Sequence, residues 1–405
     1  MSTELVVLGI VVLTALAFDF TNGFHDTANA MATSIATGAL RPKRAVLMSA
    51  VLNFVGALLS VEVALTVTNA VIKIQDKNGA PKTELTASHG YALLIILLAG
   101  LVGAIIWNLA TWLVGLPSSS SHALFGGMIG ATVAGLGFDG VKWIGDASTG
   151  KLDGVVGKVI LPAIFSPLVA MAVAAVGTAM VYLIVKGIPS SFRAGKYRTG
   201  QIFTSGLLSL AHGMNDAQKT MGILTLALIG SGHWTDLEAI PLWVKLACAV
   251  AIAAGTYVGG WRIIRTLGKG LVKIGAPQGF AAEASSAAVI LASSHMGFAL
   301  STTHVATGSV LGTGIGKAGA EVRWRIAARL VAAWVITLPS AGIVAFLMWH
   351  LADLIGGFAG AMTIFVLLLL SSGAMFLRSR RQIVDHRNVT DEWPEAPSAS
   401  ASVTQ

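Results

Sequence analysis

Apolar runs of about 20 residues follow one another along most of this chain, each long enough to cross a ~30 Å hydrocarbon core. One such run fits a buried helix of a soluble domain. A series of them fits only a membrane bundle, because in lipid every backbone polar group must find its partner within the protein. Composition agrees: 55% of the residues are apolar and 11% charged, where a soluble domain carries roughly a quarter charged. The net charge of +8 does not imply nucleic acid, since Lys and Arg gather in loops on one side of the presumed membrane. Cys248 is the lone cysteine, which rules out an intrachain disulfide.

Hydropathy places segments at 5–40, 45–72, 90–115, 119–137 and 159–186, then after a basic loop at 201–230, 242–264, 277–297, 301–317 and 326–352. A final helix is expected at 357–377. The first segment reads as one span broken at a polar cassette. Segments 119–137 and 301–317 are short and open with hydroxyl clusters, so they read as half-helices or re-entrant pieces. The first nine residues carry Glu4 and no Lys or Arg, so the first segment is expected to be a retained span rather than a cleaved signal.

Two polar cassettes occur once in each half. Gly23-Phe24-His25-Asp26 is answered by Gly213-Met214-Asn215-Asp216, and Ser119-Ser120-Ser121-His122 by Ser301-Thr302-Thr303-His304. Ionisable groups inside a span are expensive and mark binding sites or transport paths. Loop charges set the orientation. Arg41, Lys43, Arg44, Lys186, Arg193, Lys196, Arg198, Arg265, Arg323, Arg325 and Arg378 fall on one side, which is cytoplasmic by the positive-inside rule. The chain then starts outside and ends inside, and the two Asp26 and Asp216 segments run in opposite directions. This gives an all-α polytopic membrane protein built as an inverted-topology repeat of about five segments each, with a site at the junction of the halves. The expected division is 1–190 for the first repeat and 191–355 for the second. Residues 356–378 would form an extra C-terminal helix and 379–405 a disordered cytoplasmic tail.

The cassettes resemble the signature of the inorganic phosphate transporter (PiT) family, in its general form G-x-N-D-x-A-N once per half, with a paired S-T-T-H-like element. The first copy reads Gly23-Phe24-His25-Asp26-Thr27-Ala28-Asn29 and the second Gly213-Met214-Asn215-Asp216-Ala217-Gln218-Lys219. The resemblance spans roughly residues 5–352. It implies a secondary transporter of the plasma (inner) membrane for inorganic phosphate, not an enzyme, without a cofactor or resident metal, and it allows a homodimer. It also implies that Asp26 and Asp216 serve substrate and coupling ion.

The chemistry can be argued beside the resemblance. Phosphate needs converging donors and positive potential, which the N-termini of two facing half-helices supply. Ser119, Ser120, Ser121, Ser301, Thr302 and Thr303 are the expected donors, with Asn29 and Lys219. The plain alternative for the hydroxyls is capping or back-bonding. Carboxylates repel an anion, so Asp26 and Asp216 are expected to hold a proton or cation or to accept the hydroxyl of protonated phosphate; the alternative is structural bonding at a helix break. His25 replaces the pattern's Asn beside Asp26, and Lys219 stands where the first copy has Asn29. An ammonium there can take the place of a bound cation or pair with phosphate, and His titrates near neutral pH. His25 and Asn215 therefore join the two aspartates as coupling-ion candidates, with protons favoured over sodium.

Other residues support weaker expectations. His122 and His304 either donate to phosphate or simply pack. Asn22 and His212 precede the two glycines and either line the same cavity or, as the favoured role, satisfy a helix break. Glu62 and Glu283 are either functional intramembrane acids or, as the favoured reading, paired with a nearby Lys or Arg, and Trp107, Trp112, Trp234, Trp243, Trp324 and Trp334 are expected to form an interfacial belt. Three other functions stay open: a sulfate permease of the same fold, a membrane metalloenzyme using the histidines, and a passive channel. A divalent metal carried with phosphate is a further variant of the main reading.

Overall fold

The computed structural model describes residues 3–64, 72–73, 82–145, 153–184, 186, 190–236 and 239–391. They form helices α1 (Thr3–Ala36), α2 (Pro42–Leu59), α3 (Thr83–Leu113), α4 (Ser120–Leu136), α5 (Leu161–Ile184) and α6 (Ser190–Gly230). There follow α7 (Leu242–Val258), α8 (Trp261–Gly270), α9 (Ala276–His295), α10 (Thr302–Ile315), α11 (Trp324–Ile355) and α12 (Gly357–Ser379). Among the described residues there is no strand, only the isolated bridges Ile72–Val141 and Val272–Val322. Among the described residues, six helices are long and apolar enough to cross a membrane, or seven if the pair α7–α8, bent by 66°, is one span. Leu13, Leu183, Val335 and Leu370 are 61–71% exposed. Such apolar faces are stable only against lipid or a partner.

The helices exchange partners between the halves. α1 packs on α7 and α6 packs on α2, while α4 packs on α11 and α10 on α5. The exchange repeats residue by residue. A Cβ at Gly23 would lie 2.2 Å from the carbonyl oxygen of Ile252, and one at Gly213 would lie 2.3 Å from that of Asn53. Likewise Gly126 abuts the Leu338 carbonyl and Gly308 that of Pro167, at 2.2 and 2.4 Å. Only glycine tolerates such backbone contact, the means by which membrane helices gain van der Waals packing. Matching cassettes thus make matching contacts, as a repeat with two equivalent halves requires.

Three local expectations change. α1 is continuous through Asp26, and α6 through Asp216, so neither aspartate sits at a helix break. Segment 242–264 is interrupted at Gly259-Gly260, where Gly259 has φ 78° and the helix cannot continue. Of the expected tail, residues 392–405 lie outside the described residues, but 382–391 dock on α8. Arg265 donates to the Asn388 carbonyl at 2.5 Å, Arg262 donates to Ser379 (2.9 Å) and Gln382, and Val389 is buried. Guanidinium groups with several donors can order a chain segment that lacks apolar content.

Candidate functional site: a buried polar junction of the two halves

α4 and α10 each begin where a hydroxyl replaces a missing helical acceptor. Ser119 accepts the backbone N–H of His122 at 3.1 Å, and Ser301 that of His304 at 3.2 Å. These two serines therefore act as N-caps, the plainer of the two roles considered for them. The next hydroxyls point at the carboxylates. Ser120 donates to Asp26 Oδ1 at 3.2 Å, and its counterpart Thr302 donates to Asp216 Oδ2 at 2.8 Å.

The third hydroxyls cross between halves. Asn29 on α1 donates to Thr303 on α10 at 3.0 Å, and Lys219 on α6 donates to Ser121 on α4 at 2.6 Å. Asn29 and Lys219 close the two cassettes and differ in charge, yet both make the same exchanged contact. Lys219 also donates to Asp216 and, at 3.0 Å, to the Leu300 carbonyl just before α10. Ser121 reaches the same carbonyl at 3.5 Å, so the N-terminal ends of α4 and α10 meet at this point. Each positive helix end lies beside the two acids.

His212 joins the aspartates. Its Nε2 is 2.9 Å from Asp216 Oδ2 and 4.0 Å from Asp26 Oδ2, and its Nδ1 is 3.1 Å from Asn53 Oδ1. On α6 it precedes Asp216 by one turn, a spacing that puts both on one face. Asp26, His212 and Asp216 each offer a ligand atom, all within 4.8 Å of one another, which suits a single small cation. Against this, the Lys219 ammonium already bonds Asp216. His25 Nδ1 lies 2.7 Å from Asp26 Oδ1, and its Nε2 lies near Thr111 (3.3 Å) and Ser118 (3.4 Å). Every one of these side chains is buried: Asp216 is 0% exposed and Asn29 7%.

The remaining expected residues fall elsewhere. Asn215 bonds Ser294 (2.9 Å) and the Phe298 carbonyl, away from the carboxylates. His122 and His304 pack on each other at 4.6 Å, His304 stacks on Trp334 at 4.1 Å, and both line an apolar cavity of about 1010 Å³ between α5 and α11. Their ring contacts here are packing contacts. Glu283 does not pair with a cation. It accepts from Thr33, Ser34, Gln201 and Thr204 at 2.6–3.1 Å, because four hydroxyl and amide donors satisfy a carboxylate in place of one cation. Glu62, exposed at the end of α2, is bonded by Ser60. Trp107, Trp112 and Trp334 pack inside the bundle, Trp107 donating to Thr337, while Trp243 and Trp324 are exposed as a belt requires. Sequence reasoning undervalued His212, Thr111 and Asn53. The i, i+4 spacing of His212 and Asp216 was the available signal for the first; Thr111 and Asn53 carry none.

Fold and site together define a polytopic membrane protein that holds an occluded, charged junction between two equivalent halves, the arrangement of a carrier rather than an enzyme. The PHO4 phosphate transporter family model matches residues 22–196 and 189–345, and the chain belongs to this family. It is 56% identical over 394 residues to a probable low-affinity inorganic phosphate transporter of Mycobacterium bovis, covering 97% of this chain and 89% of that one. A probable low-affinity inorganic phosphate transporter of Bacillus subtilis is 39% identical over 355 residues, covering 88% and 100%. Among solved structures, one described as the sodium-dependent phosphate transporter shares the fold with a TM-score of 0.70 at 20% identity, covering 87% of this chain and 100% of that one.

Proposed function

We propose that this protein imports inorganic phosphate with protons by alternating access, the site being the junction of α1, α4, α6 and α10. The observation that carries the reading is the exchanged pair of contacts, Asn29 to Thr303 and Lys219 to Ser121. Each half holds the other's hydroxyl, so a ligand displacing these bonds is gripped by both halves at once. Phosphate would take its donors from Ser120, Ser121, Thr302, Thr303 and Asn29, and Lys219 would turn from Asp216 toward it as a point charge.

Charge balance supports the coupling. Asp26 and Asp216 are two buried acids, and Lys219, bonded to Asp216, is the fixed cation at the junction. A second positive charge is required when both ionise, because an uncompensated buried charge costs several kcal/mol. A proton, on an acid or on His25 or His212, meets that need and can travel with the substrate. The Asp26, His212 and Asp216 cluster also favours a second reading, in which a metal ion enters as cargo with hydrogenphosphate, or sodium replaces the proton. Loop charge supports a plasma-membrane orientation with the N-terminus outside and the C-terminus on the cytoplasmic side.

Purified protein in proteoliposomes tests this. Radiolabelled phosphate should accumulate under an imposed pH gradient without sodium and resist excess sulfate. Uptake that follows a sodium gradient and ignores pH would reject proton coupling; equal competition by sulfate would reject phosphate selectivity.

A further inference from the structure

Asp19, on α1, is a buried carboxylate beyond Asp26 and Asp216 that no step above employs. It lies two turns before Asp26, on the same helix face and about 10 Å away along the axis. Its side chain is 0% exposed. Oδ1 accepts the Thr220 hydroxyl at 2.5 Å, and Thr220 directly follows Lys219 on α6. From α7 the buried thiol of Cys248 faces it; Lys219 and Asp216 of α6 are the charged groups that act on it. Among the described residues, Oδ2 has no hydrogen-bond partner.

Lys219 does not neutralise this acid. Its three N–H donors already go to Asp216, Ser121 and the Leu300 carbonyl, the full capacity of an ammonium. An ionised Asp19 would thus be a buried charge with one hydroxyl, one weak thiol donor and an orphan oxygen, an expensive state in a membrane. A proton on Oδ2 removes the charge. Glu283 of α9, a buried acid that packs against α1, differs because four donors surround it.

We propose that Asp19 is the binding site of the transported proton, distinct from the acids that meet phosphate. This rests on the proton-coupled reading above. The proton adds to the Asp19 carboxylate from water on one side and leaves to water on the other. No bond to phosphate forms or breaks. When phosphate draws Lys219 away from Asp216, negative charge next to Asp19 rises and retains the proton. By linkage, the proton in turn favours phosphate. Departure of phosphate returns Lys219 to Asp216 and releases the proton.

The test uses the full chain in proteoliposomes with voltage clamped and a pH dye trapped inside. Phosphate counterflow without gradients measures the carrier cycle; phosphate-evoked proton entry measures coupling. Asp19→Asn mimics the protonated acid, so counterflow should stay within about twofold of wild type while proton entry falls by roughly tenfold or more. Asp19→Glu should restore proton entry. Wild-type proton entry in Asp19→Asn overturns the proposal, as does joint loss of counterflow and proton entry from monodisperse protein. Should Asp19→Asn fail to reach the membrane, Thr220→Val keeps the acid and removes its donor. It should move the pH profile of counterflow, and an unmoved profile overturns the assignment. A wild-type protein driven by sodium alone would sink the coupling reading and this one with it, and that result appears before any variant is made.

Discussion

Lys219 supplies the fixed positive charge of the junction at the scale of single residues. Asn29 holds the equivalent place in the first half and makes the equivalent bond, so the asymmetry lies in charge rather than in position. Removing the ammonium leaves Asp216 buried without its ion pair. Lys219→Met should therefore destabilise the protein by about 3–5 kcal/mol, read from unfolding in detergent. Adding Asp216→Leu should recover most of that stability but no transport. If the double variant were as unstable as the single one, the ion pair would not be the reason. The hydroxyls divide by a similar argument. Ser119→Ala and Ser301→Ala remove caps and should cost about 1 kcal/mol of stability with small effects on phosphate uptake. Ser120→Ala and Thr302→Ala remove donors to the carboxylates and should lower uptake by roughly tenfold or more. Uptake assays on the four variants would expose an inverted order. Both aspartates and most of their donors were legible in the sequence because they came in duplicate. Asp19, Thr111 and Asn53 were not, since their roles depend on which helix lies opposite.

Helices meet here at glycines, and the element scale is where the repeat becomes physical. The backbones at Gly23 and Gly213 touch carbonyls of α7 and α2, closer than any side chain permits. Gly23→Ala and Gly213→Ala should each push a helix pair apart and cut the yield of monodisperse protein severely. Gly9→Ala, whose new methyl group meets nothing within 4 Å, should be neutral. Comparable yields for all three would contradict the packing account. The short helices α4 and α10 could be read from their hydroxyl starts and limited apolar length. The continuity of α1 and α6 could not, because polar cassettes suggested breaks. Partners on neighbouring helices satisfy those polar side chains, so the backbone ladder need not open. The bend between α7 and α8 was hidden in a single apolar run until Gly259 was seen in its left-handed conformation.

On the scale of the whole molecule, each half completes the other. α4 rests on α11 and α10 on α5, so a half taken alone would expose surfaces that its counterpart covers. The loop-charge pattern and the doubled cassettes already pointed to two equivalent halves. They did not reveal that the halves interlock, because partner exchange leaves no local pattern in a sequence. Interlocking has a direct consequence for stoichiometry. Two copies of the cassettes could have formed two separate anion sites, one per half. In the proposed reading, the crossed contacts of Asn29 with Thr303 and of Lys219 with Ser121 join both halves into one site. Equilibrium binding of radiolabelled phosphate to purified protein measures this most directly. The account predicts one phosphate per chain, with binding lost in Ser120→Ala and in Thr302→Ala alike. Two phosphates per chain, or binding indifferent to the residues of one half, would contradict it.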